Sequence, residues 1–205
     1  MKINALVAVD AAKPLTSGDI TLRPLQNQDV KIDILYCGVC HSDLHMARNE
    51  WAVSRYPLVP GHEIVGRVSA TGAGVSAFQV GDIVGVGVMV DSCRECHFCK
   101  QHEEQYCEAG FTATYNGIDK YTGDSTWGGY AESVIVDQDF VVSVPQNLPL
   151  AGVAPLLCAG VTVWSPLRHF NVKAGDAVGV VGLGGLGHMA VKLASAMGAE
   201  VTLFT

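Results

Sequence analysis

Four cysteines at the spacing Cys93-x₂-Cys96-x₂-Cys99-x₇-Cys107 constrain this chain more than any other feature. Two overlapping CxxC turns bring three sulfurs within reach of one ion, and the fourth closes a tetrahedron. Four thiolates leave no position open for a substrate, so the loop 91–108 is expected to hold a structural zinc. Iron–sulfur clusters use similar CxxCxxC spacing, and disulfides are the other rival. Zinc is favoured because no fourth cysteine precedes a proline and the loop joins β-type segments. His97 and His102 in the same loop read as solvated bystanders.

A chain of 205 residues that is 49% hydrophobic and 16% charged can bury a sizeable core. Its net charge of −7 argues against a nucleic-acid or anionic-membrane surface. The N-terminal apolar run is broken by Asp10 and reads as a strand, not a signal peptide. The apolar stretch 177–205 is interrupted by His188, Lys192 and Glu200, which excludes a membrane span. Seven cysteines without a secretory signal fit a reducing compartment, so a cytoplasmic location is expected.

Residues 2–9, 20–36, 64–72, 80–90 and 130–137 show β-type patterns, and Ser42–Glu50 is helix-compatible. Short glycine-rich strands predict a barrel-like all-β domain over 1–150, with the boundary marked by Pro145 and Pro149. The apolar stretch 151–170 predicts one helix carrying the chain into a second domain, 151–205. There AVGVV-GLGGLG-HMAVKLASAMGA-EVTLF reads as strand, glycine turn, helix and strand. Gly182 permits the tight turn, Gly184 lets backbone approach a pyrophosphate, and Gly187 lets helix pack on strand. Leu186, Ala190, Leu193, Ala194 and Met197 are expected on the packed face of that helix.

The stretch Tyr36–Gly66 carries the second concentration of chemistry. It holds Cys40, His41, Ser42, His45 and the pair His62-Glu63, and Cys158 would complete a Cys-His-Cys set with Glu63 nearby. Cys, His and Glu are ligand types that zinc accepts, and a site with few protein ligands keeps a position for substrate. Taken singly, Cys40 and Cys158 read better as small buried hydrophobes than as ligands.

Together, YCGVCHSDLH, YPLVPGHEIVG, the four-cysteine loop, PLLCAGVTVWSPL and GVVGLGGLGHMAVKLA resemble the zinc-dependent medium-chain alcohol dehydrogenase/reductase family, nearest its cinnamyl-alcohol-dehydrogenase-like branch. That branch includes bacterial NADPH-dependent aldehyde reductases. The resemblance implies a mixed fold: an N-terminal GroES-like all-β barrel-like catalytic domain plus the first βαβ part of a Rossmann α/β domain. It implies two Zn²⁺ per chain. Cys40, His62 and Cys158 would hold a catalytic zinc, the Cys₂His set for which alcohol dehydrogenases are known. Glu63 would be a fourth ligand, and Asp43 would fix the His62 imidazole from behind. Ser42 and His45 would relay a proton. His41, His45, Thr162 and the turn Gly182, Leu183, Gly184, Gly185, Leu186 and Gly187 would contact the cofactor. Trp51 and Val53 would line the substrate pocket, unless they are core residues.

The implied function is alcohol–aldehyde interconversion by hydride transfer with a small-molecule substrate, favouring aldehyde reduction. NADP(H) is expected over NAD(H) mainly because of the branch that the chain resembles, and Val201–Thr205 offers no carboxylate for a ribose hydroxyl. The resemblance also implies a homodimeric parent enzyme longer than this chain, which would then be a truncated, weakly active or inactive form. The alternative is a non-catalytic, zinc-stabilised β-domain, a pseudoenzyme remnant.

Overall fold

A computed structural model describes residues 1–205. The chain opens with a hairpin of β1 (Lys2–Val7) and β2 (Thr16–Thr21), paired antiparallel from Lys2 opposite Thr21 to Val7 opposite Thr16. Then come β3 (Asp29–Cys37), α1 (His41–Ala47), β4 (Ile64–Thr71), β5 (Ile83–Val86) and β6 (Met89–Asp91). The cysteine loop contains a single turn, α2 (His97–Lys100), and is followed by β7 (Thr112–Ala113), β8 (Ser133–Asp137) and β9 (Val142–Ser143). The second unit runs α3 (Leu150–Val153), a 3₁₀ turn (Ala154–Leu157), α4 (Ala159–His169), β10 (Ala177–Val181), α5 (Gly185–Ala196) and β11 (Glu200–Phe204).

Alternation of apolar residues along β3, β4 and β8 is what closes the first core. These strands lie in a five-stranded antiparallel sheet of order β8-β3-β4-β5-β9. Val30, Ile32, Ile64, Val68, Val84, Val86, Val134, Val136 and Val141 form its buried cluster. Each fully buried aliphatic side chain contributes about 1.5–3 kcal/mol, so this cluster is the main stabilising mass of the unit. A second cluster of Ile3, Ala5, Val7, Ile20, Leu22 and Val59 joins the hairpin to the loop before His62. A third, Ala8, Met46, Leu58 and Tyr115, seats α1. The GroES-like expectation for this unit agrees with the architecture.

A fourth cluster, Val65, Val144, Val153 and Ala154, couples the sheet to the start of the second unit. Glycines in and just after β5 make that contact possible. A side chain at Gly85 would meet the Leu157 methyl groups at 2.9 Å, and one at Gly87 the Leu157 carbonyl oxygen at 2.9 Å. The segment that ends in Cys158 can therefore lie directly on the sheet.

Beyond this, β10 and β11 pair in parallel, Ala177 opposite Glu200 through Val181 opposite Phe204, with α5 as the crossover. Gly182 has a φ of +87°, and a Cβ on Gly187 would collide with the Gly182 carbonyl. Both glycines are thus required by the turn itself. This is the βαβ arrangement expected from the sequence, and it divides the apolar stretch 177–205 among three short elements. No single helix is long and apolar enough to cross a membrane.

Several elements differ from the sequence reading. The expected strand 20–36 is two strands, because residues 22–28 form a loop in which the Asp29 carboxylate accepts from Arg23 and from the Gln26 N–H. The stretch 80–90 breaks into β5 and β6 at Gly87, where the Leu157 carbonyl approaches. The expected helix over 42–50 ends at Ala47, followed by a left-handed Asn49 with φ +55°. The expected single helix 151–170 is broken at Cys158, whose φ of −127° and ψ of −76° are not helical. On α5, Ala194 is buried as expected and Met189 joins it, while Leu186, in the first turn, is 42% exposed.

Candidate metal centres and cofactor turn

The break at Cys158 places its thiol where the chemistry concentrates. Cys40 caps the N-terminus of α1, and its backbone N–H is held by the Asp43 carboxylate at 2.9 Å. Cys158 stands at the start of α4, 3.9 Å from Cys40 between sulfurs. His62 and Glu63 immediately precede β4 and are 4% and 3% exposed. Donor atoms of Cys40, His62, Glu63 and Cys158 all lie within 4.8 Å of one another. A tetrahedral zinc with bonds of about 2.3 Å to sulfur separates two sulfurs by about 3.8 Å. The residues present therefore fit a single zinc ion.

Glu63 reaches this cluster because position 38 has no side chain: a Cβ on Gly38 would overlap the Glu63 carboxylate. Asp43, 3% exposed, accepts from the Gly61 N–H at 2.9 Å and from His62 Nδ1 at 3.1 Å. A carboxylate only accepts, so Nδ1 carries a proton and Nε2 is left for the ion.

The electrostatics of the metal-free cluster follow from crowding. Burial opposes charge on His62, but Asp43 and Cys158 outweigh it and hold the imidazole up at about 11. Burial likewise works against the Cys40 thiolate, yet hydrogen bonding to Ser42 and the nearby His62 bring Cys40 below the usual thiol range. Burial raises Glu63, with Asp43 adding to it and His62 opposing. Cys37, which the sequence reading left unassigned, is pushed up to about 12 by burial and packs against Gly61 and Gly129. It is a structural thiol, not a ligand.

The other four cysteines form the second cluster, with their sulfurs within 4.8 Å of one another and Cys93 to Cys99 at 3.8 Å. That compactness fits one ion and not an iron–sulfur cube, whose ligands sit on separate irons. Amide N–H groups of Cys93 and Cys96 point at Cys107 and Cys93 sulfurs at 3.5 and 3.4 Å. Backbone N–H bonds bring Cys96 down to about 6, which suits a thiolate ligand. Arg94 lies between the first two cysteines and pairs with Asp91 and Asp137 at 3.0 Å and Asp139 at 2.7 Å, which fastens the loop to the barrel. His97 and His102 are exposed.

Ser42 and His45 share one face of α1, and Ser42 is half-buried beside Cys40. The rings of His41, His45 and Trp51 stack at 4.5 and 4.9 Å, and His45 Nδ1 bonds the Glu50 carboxylate. Trp51 and Val53 are 51% and 57% exposed, so a core role is out for both. Thr162 is exposed on α4, one turn beyond Cys158. Gly184 and Gly185 have nothing within 4 Å of where a Cβ would stand, so the N-terminus of α5 is open to a phosphate.

Over residues 26–146 the sequence matches the alcohol dehydrogenase GroES-like domain. The chain belongs to this family. The NADP-dependent alcohol dehydrogenase C 1 of Mycolicibacterium smegmatis is 52% identical over 204 residues, 99% of this chain and 58% of that protein. The aldehyde reductase YahK of Escherichia coli is 54% identical over 207 residues, covering 100% of this chain and 59% of that protein. A cinnamyl alcohol dehydrogenase structure from Sorghum bicolor superposes with a TM-score of 0.96 at 49% identity, covering 99% of this chain and 58% of that one. The chain thus spans just under three fifths of these relatives' length.

Sequence reasoning missed Gly38, Glu50, Tyr115 and Tyr130. Tyr130 OH donates to Asp43 at 3.0 Å, and the Tyr115 ring lies 5.7 Å from His62. Only the glycine pair before Tyr130 carried a signal, since paired glycines mark a close backbone approach.

Proposed function

We propose that this chain belongs to a zinc-dependent oxidoreductase that interconverts alcohols and aldehydes with NADP(H), acting on a small-molecule substrate and favouring aldehyde reduction. The observation that carries this reading is the convergence of Cys40, His62, Glu63 and Cys158 within 4.8 Å, from segments far apart in sequence. A protein that needed zinc only for stability would have that from the four-cysteine loop alone. The names of the relatives, an NADP-dependent alcohol dehydrogenase and an aldehyde reductase, support the direction and the cofactor.

When bound, zinc polarises a substrate oxygen and the dinucleotide supplies hydride. The chain's own residues have four tasks. Cys40, His62 and Cys158 hold the ion, and Glu63 is a carboxylate within reach of it. Asp43 keeps the His62 imidazole turned. Ser42 accepts and donates a proton beside the substrate oxygen, and His45, braced by Glu50, passes it to solvent. The turn from Gly182 to Gly187 receives the pyrophosphate at the N-terminus of α5, with His41, His45 and Thr162 as further cofactor contacts. Trp51 and Val53, exposed beside the His45 ring, form the substrate rim.

The test is NADPH oxidation against a panel of aldehydes by the chain and by a version extended to the length of its relatives, with NADH run in parallel. Turnover with NADPH that vanishes in Ser42→Ala and Cys40→Ser is expected. No turnover by the extended protein would remove the reading.

A further inference from the structure

We propose that Tyr130 is a positioning residue for the Cys40–His62–Cys158 metal centre, acting through Asp43. The proposal rests on the reading of that cluster as a zinc site.

Asp43 is held by four donors, two on each carboxylate oxygen. Oδ1 accepts from the Gly61 N–H at 2.9 Å and His62 Nδ1 at 3.1 Å. Oδ2 accepts from the Cys40 N–H at 2.9 Å and the Tyr130 hydroxyl at 3.0 Å. Three of these donors belong to the ligand segments themselves. Tyr130 is the fourth, arriving from 87 residues away. It therefore fixes the carboxylate relative to the barrel, not merely relative to its own neighbours.

The support beneath Tyr130 is rigid. Residues 128–130 run alongside the loop that presents His62. The N–H groups of Gly128, Gly129 and Tyr130 donate to the carbonyls of Val59, Gly61 and Pro60 at 2.9, 2.8 and 3.0 Å. The Tyr130 carbonyl accepts from Leu6 at 2.8 Å, and its ring packs on the cluster around Val59. Side chains at Gly128 and Gly129 would strike Pro60 and Ile64, so the glycine pair is what allows this approach. The phenol is thus built into place by backbone pairing on both sides.

Without that hydroxyl, Oδ2 keeps the Cys40 N–H alone and loses the donor that arrives from the barrel. A cavity of about 390 Å³ lined by Asp43, Tyr130, Leu44, Pro60 and Lys13 adjoins it. Water from there would replace a fixed donor with a mobile one. His62 would then present Nε2 over a wider range of angles, and the ion would be held less tightly. Partners that orient a ligating histidine change metal affinity by about 10–100-fold when removed.

The experiment uses zinc alone, in competition with a chromophoric chelator, on the full chain. Cobalt(II) absorption serves as the second readout. Tyr130→Phe keeps the ring and its packing. We expect it to bind zinc at the Cys40–His62–Cys158 centre about tenfold more weakly, with a shifted cobalt spectrum, an unchanged four-cysteine site and an unchanged melting temperature. In an Asp43→Asn background the same change should cost less, because partners in one network are not additive. Equal zinc affinities of wild type and Tyr130→Phe would overturn the proposal. So would additive losses, or equal weakening at both zinc sites with a lowered melting temperature. If wild-type protein takes up only one zinc, the metal-centre reading fails first, and this proposal with it.

Discussion

The sulfurs of Cys40 and Cys158 lie 3.9 Å apart although the residues are separated by 118 positions. One thiol starts a short helix inside the β-unit, and the other starts the helix that follows it. Each of the two units therefore contributes a thiol to one candidate metal centre. The sheet makes that meeting possible through Gly85 and Gly87, whose missing side chains let Leu157 settle on β5.

The two thiol clusters should respond differently to the loss of a ligand. Cys99→Ser should leave about one zinc per chain and loosen residues 91–108. Structural zinc is worth about 10–16 kcal/mol in small zinc peptides. Cys40→Ser should also leave about one zinc, yet melt close to wild type, since the clusters around Ile32 and Val59 do not depend on it. Metal analysis combined with thermal melts checks both. Iron in the wild-type protein, or equal melting losses in the two variants, would contradict the assignment.

Gly38→Ala should destabilise the protein by about 1–3 kcal/mol, the usual cost of overpacking. The added methyl group competes with the Glu63 carboxylate for one position. Urea unfolding measures the loss. Combining it with Glu63→Ala, which empties the contested space, should recover most of it; no recovery would mean that the clash lies elsewhere.

The four-cysteine cluster was legible because its ligand chemistry is local in type and spacing, whereas Cys40, His62, Glu63 and Cys158 were brought together only by the family resemblance. CxxCxxC can be read without knowing the fold. What could not be read was the space around these residues. Gly38, Gly85 and Gly87 matter because of what approaches them from distant segments, and no spacing rule reveals that. The same holds for the break at Cys158: a run of apolar, helix-forming residues gives no hint that contact with β5 interrupts it. Leu186 was misplaced on α5 because periodicity locates an apolar stripe but not how far along the helix that stripe is covered.

Metal-free protein should become less stable on the alkaline side, with Asp43 first and Cys158 second as the reason. The folded-state pKa of His62 is raised to about 11. The stabilisation is therefore complete below the unfolded value of about 6.5 and fades as pH climbs through the folded one. Urea unfolding of chelator-stripped protein from about pH 6 to 10 should show this decline. Asp43→Asn should make the decline shallower, with Cys158 leaving part of it, and parallel curves for the two proteins would refute the linkage. Zinc uptake should release a proton from the same imidazole, because a ligating histidine must be neutral.

The chain on its own should self-associate through the second unit. β10 and β11 form a two-stranded sheet, so each strand has one side without a partner. Around it Val181 is 87% exposed, Leu183 57% and Phe204 56%, while Leu186 at 42% adds to the same apolar end. Clustered exposed apolar side chains beside unpaired strand edges favour contact with another copy over contact with water. Sedimentation at several concentrations should show association that weakens in Val181→Lys and Phe204→Lys, with zinc content unchanged. Limited proteolysis should cut first beyond about residue 150 and leave the four-cysteine unit whole. A chain that stays monomeric at high concentration would show that these side chains are not a contact surface.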